Sequence, residues 1–212
     1  MLIDLSLKDS RVLIIGSGKV GMRKARGIIG ECKKLTIASE RFPKGVKTLE
    51  RAGATLVKTG ALKDRTLGAL ISDCDVVIAA TSDHDLNRRV AEWARASGVL
   101  LGSVDDPAVS DFNFPAVRAV GDIRIGVSTG GRSPAMARLI CMKLADAITP
   151  EDRLWVKLMS RVRSSAMAQL STPGERRASI YKVLKDENVR SLVRAGRLGE
   201  ASDAARAIIA GK

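Results

Sequence analysis

An α/β fold built on a doubly wound parallel sheet, followed by a small module and an α-helical C-terminal domain, is what this sequence predicts. Three observations carry it: an apolar, β-branched run ended by glycines near the start, an alternation of such runs with helical patterns through the first half, and purely helical periodicity in the tail. At 212 residues the chain can bury a substantial core and hold one sheet domain plus a helical partner.

Arg11 opens the run Val12-Leu13-Ile14-Ile15, apolar at every position and therefore read as a strand covered on both faces. Met22, Ala25, Ile28 and Ile29 then recur at helical spacing among Arg23, Lys24 and Arg26, and Leu35-Thr36-Ile37-Ala38 supplies a second strand, completing one βαβ unit. The alternation continues with a helix over 46–52, a strand over 55–57, a helix over 64–71, a strand over 76–80, a helix over 85–97 and a strand over 99–104.

Near Pro115 the texture changes. Residues 123–128 read as a strand, Thr129-Gly130-Gly131 as a turn, and 133–147 as an amphipathic helix. Thr149-Pro150-Glu151-Asp152 is a strong helix start, with a capping threonine, a proline at the first helical position and two carboxylates in the first turn. Ser171-Thr172-Pro173-Gly174-Glu175 starts another helix, and 151–210 contains helices alone. The expected divisions are 1–115, 116–148 and 149–212.

Composition narrows the classes of function. Cys32, Cys74 and Cys141 are odd in number, far apart and in no metal-ligand spacing, which points to reduced thiols in a cytoplasmic protein without a metal site. No stretch approaches the roughly 18 apolar residues of a membrane span, and Met1 to Leu7 is too short and acidic for a signal peptide. The formal net charge is +13, and residues 116–212 carry 18 Lys or Arg against 9 Asp or Glu. Such an excess suits a nucleic acid, a phosphorylated cofactor or a polycarboxylate substrate, or is simply a solvated basic face. Aromatic content of 3% leaves few platforms for base stacking, which speaks against a nucleic-acid partner.

Gly16-Ser17-Gly18-Lys19-Val20-Gly21 is a complete G-x-G-x-x-G between a strand and a helix. Gly16 permits the tight turn, Gly18 lets a pyrophosphate approach the backbone, and Gly21 allows the helix to pack on the sheet. The helix start offers free N–H groups and partial positive charge to phosphates. This is the dinucleotide-binding signature of a Rossmann fold. After the second strand, Glu40 is placed to accept hydrogen bonds from the adenosine ribose, which favours NAD, while Arg41 beside it suits a 2′-phosphate.

Two further loops lie at the carboxyl edge of the expected sheet. Thr81, after the fourth strand, is placed to contact the cofactor, and Asp83 or Asp85 to cap the next helix. His84, the single histidine, falls in the same loop and reads as a surface residue rather than an acid or base. After the fifth strand Asp105 and Asp106 are adjacent, so only one faces the cleft while the other caps the turn. Asp105 is the choice for the cleft, where a carboxylate beside an oxidised nicotinamide can take a proton as hydride leaves. Two turn-forming aspartates are the alternative.

Taken together, these motifs resemble the precorrin-2 dehydrogenases of siroheme synthesis, a family that includes bifunctional enzymes acting also as sirohydrochlorin ferrochelatases. The resemblance rests on Gly16-Ser17-Gly18-Lys19-Val20 with Arg23-Lys24, Ala79-Ala80-Thr81 with Asn87 and Val90, Val104-Asp105-Asp106-Pro107 with Phe112 and Phe114-Pro115, and Ser128-Thr129-Gly130-Gly131 with Ser133-Pro134 and Ala137-Arg138. It covers about the first 150 residues well, and the tail only in length and basic, helical character.

The resemblance implies oxidation of precorrin-2 to sirohydrochlorin with NAD as hydride acceptor, in a homodimer joined through 116–148 with a helical tail over the tetrapyrrole cleft. It makes Asp105 the essential aspartate and places Ser128, Thr129, Gly130 and Arg132 at the substrate, where the turn either binds an anionic side chain or only caps the following helix. A basic tail would attract a substrate bearing eight carboxylates. Three departures stand out: Gly21 where many members have alanine, Gly102-Ser103 in place of a common Asn-Val, and Thr129 where some relatives carry a phosphorylatable serine. Competing readings are an NAD-sensing regulatory module with a basic nucleic-acid-binding tail, and a dehydrogenase of another acidic small molecule.

Overall fold

The computed structural model describes residues 2–60 and 64–211. The chain divides into two compact units, Met1–Phe114 and Pro115–Lys212.

In the first unit, β1 (Arg11–Ile15), β2 (Lys34–Ser39), β3 (Thr55–Lys58), β4 (Val76–Ala79) and β5 (Leu100–Ser103) form one parallel sheet in the order β3-β2-β1-β4-β5. The crossovers are α1 (Lys19–Ile28), α2 (Val46–Arg51), α3 (Asp64–Ser72) and α4 (His84–Ser97). The sheet is the doubly wound one expected. Successive residues of β1 enter opposite cores: Val12 and Ile14 pack with Met22, Ala25 and Ile28 of α1, while Leu13 and Ile15 pack with Leu67, Ile71, Val90 and Ala94 of α3 and α4. That is why the run is apolar at every position. Each fully buried aliphatic side chain contributes roughly 1.5–3 kcal/mol through the area it removes from water.

The order places the topological switch between β1 and β4, whose register pairs Ile15 with Ala79. At the opposite end of the same two strands, Arg11 and Asp75 clamp one another: Arg11 N donates to Asp75 Oδ2 at 2.7 Å and Asp75 N to Arg11 O at 2.9 Å.

The second unit begins with a hairpin that was only half legible in the sequence. β7 (Ile123–Val127) is the expected strand, but it pairs antiparallel with β6 (Ala116–Val120), which was not foreseen. The run Ala116-Val117-Arg118-Ala119-Val120 is short, interrupted by an arginine and without apolar–polar alternation, and three of its five residues are exposed. The two-residue link Gly121-Asp122, with Gly121 at φ +61°, was the available hairpin signal. α5 (Pro134–Asp146) packs on this hairpin.

The remaining helices are α6 (Pro150–Gln169), α7 (Pro173–Lys185), α8 (Glu187–Arg194) and α9 (Leu198–Ile209). Leu158, Val162, Val183, Val189, Val193, and Ala205 with its neighbours on α9 form their common core. Both predicted helix starts are reciprocal capping boxes, Thr149 with Asp152 and Thr172 with Glu175. Among the described residues no helix is long and apolar enough to cross a membrane.

Candidate active site

The loops that carry the predicted residues of the first unit leave the carboxyl ends of β1, β2, β4 and β5. Gly16 follows β1 at φ +104°, a conformation open to glycine, and a Cβ there would collide with the Ala80 carbonyl. A Cβ on Gly21 would collide with the Gly16 carbonyl, so the turn and the helix are in backbone contact at this point. Gly18 differs from both, since a Cβ on it would meet nothing within 4 Å and its missing side chain leaves open space. It is also the N-cap of α1, which has no side-chain cap and no acidic residue in its first turn. An uncapped helix start beside an open glycine fits the diphosphate of a dinucleotide.

Ser17 is buried, and its hydroxyl donates to Arg41 O at 2.5 Å and lies 2.9 Å from Ser39 Oγ. The glycine turn is thereby tied to the loop after β2, whose Glu40 and Arg41 are exposed, as are Gly18 and Lys19. Val20 is half-buried.

Asp105 ends the segment after β5, two strands from the glycine turn, or about 10 Å at ordinary strand spacing. Three side chains hold its carboxylate. Asn87 Nδ2 donates to Oδ2 at 2.9 Å, Ser103 Oγ donates to Oδ1 at 2.8 Å, and His84 Nδ1 lies 2.7 Å from Oδ2. Partial burial pushes the carboxyl up, but the hydrogen bonds from Asn87, Ser103 and His84 outweigh it and hold Asp105 below the usual carboxylate range. Asp106 turns the other way and caps the short 3₁₀ turn Pro107–Val109, accepting from Ala108 N at 2.9 Å.

Around this carboxylate lie residues that the sequence alone did not place there. Thr81 donates to Asn87 Oδ1 at 2.7 Å and Asn87 Nδ2 donates to Thr81 O at 3.1 Å, so the threonine aligns the amide that serves Asp105. Asp83, not Asp85, caps α4 by accepting from Leu86 N at 2.9 Å, and this brings His84 to the first turn facing Asp105. The sequence offered only one signal for the pair, namely that both sit at strand carboxyl ends on neighbouring strands. Ser103 supplies a donor to Asp105, and its own oxygen accepts from Asp106 N at 3.2 Å.

Farther along the same segment, against Gly102, Phe112 and Phe114 stack edge to face at 5.3 Å, and Lys24 Nζ lies 3.1 Å above the Phe114 ring. Burial, with Arg23 nearby, lowers the Lys24 ammonium to about 8, while the ring face pulls the other way by favouring the charged form.

In the second unit the turn between β7 and α5 carries the remaining predicted residues. Ser128 Oγ accepts from Gly130 N at 3.2 Å and Thr129 Oγ1 from Ser133 N at 3.0 Å, while Ser133 caps α5. Two of the N–H groups considered for an anion are therefore already taken within the turn. Arg132 is exposed and its Nε donates to Thr129 O at 3.2 Å. Farther along, Arg176 folds back to donate to Ser171 O at 2.8 Å, leaving Arg177 as the exposed member of that pair.

A parallel sheet with a glycine turn opening an uncapped helix at its carboxyl edge defines an NAD(P)-binding domain of the Rossmann class, and a family model of NAD(P)-binding domains matches residues 3–116. The chain is 33% identical over 188 residues to precorrin-2 dehydrogenase of Methanosarcina barkeri, covering 87% of this chain and 83% of that protein. It is 32% identical over 183 residues to the siroheme synthase of Escherichia coli, covering 86% of this chain and 39% of that longer enzyme. The solved structure of SirC, a precorrin-2 dehydrogenase, shares the fold with a TM-score of 0.72 over 96% of this chain and 99% of that one, at 16% identity. The chain belongs to the precorrin-2 dehydrogenase family.

Proposed function

We propose that this protein oxidises precorrin-2 to sirohydrochlorin with NAD, in the synthesis of siroheme. The observation that carries the proposal is an ionised carboxylate, Asp105, held by three donors at the same sheet edge as the dinucleotide turn. NAD, when bound, supplies the hydride acceptor. Gly16, Ser17, Gly18, Lys19, Val20 and Gly21 hold its diphosphate, with Glu40 and Arg41 at the adenosine ribose. Thr81 acts through Asn87, and Asp105 takes the proton that the substrate loses with the hydride.

The role of the second unit follows the same reading. Ser128, Thr129, Gly130 and Arg132 contact a substrate carboxylate, Arg132 by its exposed guanidinium. The helical residues 149–212 cover the macrocycle and attract it by their positive charge, and 116–148 joins two copies. In support of a homodimer, α5 exposes Met136, Leu139, Ile140 and Leu144, and buries only Ala137 and Cys141. Free Cys32, Cys74 and Cys141 suit a reducing, cytoplasmic setting.

The test is anaerobic incubation with enzymatically generated precorrin-2 and NAD, following sirohydrochlorin and NADH by absorbance with Asp105→Ala alongside. Product formation that needs NAD and is lost in the variant is expected. No turnover by a folded, NAD-binding wild type overturns the assignment. Ferrous ion added afterwards scores metal insertion against the enzyme-free rate.

A further inference from the structure

His84 is the single histidine of the chain, and the structure sets it against the carboxylate that the proposed reaction uses. Its side chain keeps 79% of its exposure, against 21% for Asp105. The other two partners cannot carry a proton outward. Asn87 is a buried amide, and Ser103 is buried with its oxygen already accepting from Asp106 N. An imidazole alone among the three both accepts and releases protons near neutral pH. The hydrogen bonds that hold Asp105 below the usual carboxylate range also make it quick to surrender a proton. The carboxylate keeps only a fifth of its side-chain surface open, and that path to water closes once a macrocycle lies over it.

We propose that His84 is a positioning residue that relays the proton from Asp105 to solvent, an inference that rests on the reading of Asp105 as proton acceptor in precorrin-2 oxidation. A substrate C–H bond breaks as its electron pair leaves with hydrogen to NAD, and the accompanying proton forms an O–H bond on Asp105. The exposed imidazole of His84 exchanges protons with water to its Nε2–H tautomer, and the O–H bond on Asp105 breaks as Nδ1 takes that proton. The imidazolium then releases its Nε2 proton to water, which restores the Nδ1–H that donates to the ionised carboxylate. Asp105 is returned to the ionised form for the next turnover.

The experiment compares wild type, His84→Gln and His84→Ala for kcat, KM for precorrin-2, NAD affinity by fluorescence titration, and the rate in D2O, with and without free imidazole. Glutamine retains a donor toward Asp105 but cannot relay a proton. Both variants are expected to lose about tenfold in kcat with KM and NAD affinity unchanged, and imidazole is expected to restore His84→Ala because the site is open to solvent. Full kcat in His84→Gln, or a loss in His84→Ala that imidazole leaves untouched, overturns the relay while wild-type turnover upholds the parent reading. A wild type that binds NAD but does not oxidise precorrin-2 overturns both.

Discussion

Gly102 and Phe112 are packed so closely that a Cβ on the glycine would stand 2.8 Å from Cζ of the ring. Through Phe114 and Lys24 the same stack ties the segment bearing Asp105 to α1. Gly102→Ala is therefore expected to cost about 1–3 kcal/mol by overpacking. Urea denaturation checks this, and a further Phe112→Leu substitution should recover part of the loss.

The glycines of the dinucleotide turn should separate cleanly in their effects. Gly16→Ala places a Cβ in the Ala80 carbonyl at a positive φ, so both stability and NAD binding should fall. Gly18 has φ −66° and open space, so Gly18→Ala should melt like wild type and yet bind NAD about tenfold more weakly, or ~1.4 kcal/mol. Thermal melts and NAD fluorescence titrations on the two variants distinguish a packing role from a binding role.

Lys24 predicts a rise of stability with pH. The folded chain gives up this proton near 8 while an unfolded lysine holds it to about 10.4, so across that window the unfolded state binds more protons and stability increases. Lys24→Met removes the contribution. Urea midpoints of wild type and variant at pH 7 and pH 10 should converge toward the alkaline end, and parallel curves would show that the ammonium is not destabilised by burial.

Helix α7 depends on its cap. Thr172 Oγ1 accepts from Glu175 N at 3.2 Å and Glu175 Oε2 accepts from Thr172 N at 3.0 Å. Thr172→Ala should cost about 1 kcal/mol in chemical denaturation. The backbone hydrogen bond from Thr172, followed by its hydroxyl, holds the Glu175 carboxyl below its usual range. Its share of stability is therefore present above the ordinary carboxylate range and is lost as pH falls through the lower folded value.

If α5 joins two copies, Ile140→Glu should yield a monomer by sedimentation velocity at concentrations where wild type is a dimer. Ile140 is 37% exposed, so the charge is accommodated in the isolated fold. An unchanged sedimentation coefficient would move the interface elsewhere.

Much of the first unit was legible because its signals are local. Val12 to Ile15 announces a strand covered on both faces by being apolar at every step, and the spacing of Gly16, Gly18 and Gly21 reports a backbone conformation. Helix caps at Thr149 and Thr172 are equally short in range. β6 was missed because it is short, with Arg118 at its centre and residues 117–119 exposed in a row, so it offers no alternation of apolar and polar residues to read.

The sequence by itself determined the order of strands and helices in the first unit, the glycine turn, and Asp105 as the carboxylate at the sheet edge. Only the tertiary structure decided what surrounds that carboxylate. His84 and Asp105 are 21 positions apart, and the reading that set the histidine aside as a surface residue was sound for a loop taken alone. Parallel pairing of β4 with β5, and the choice of Asp83 over Asp85 as cap, bring the two within 2.7 Å. Periodicity and propensity describe neighbours along the chain, whereas the environment of an ionisable group is set by neighbours in space.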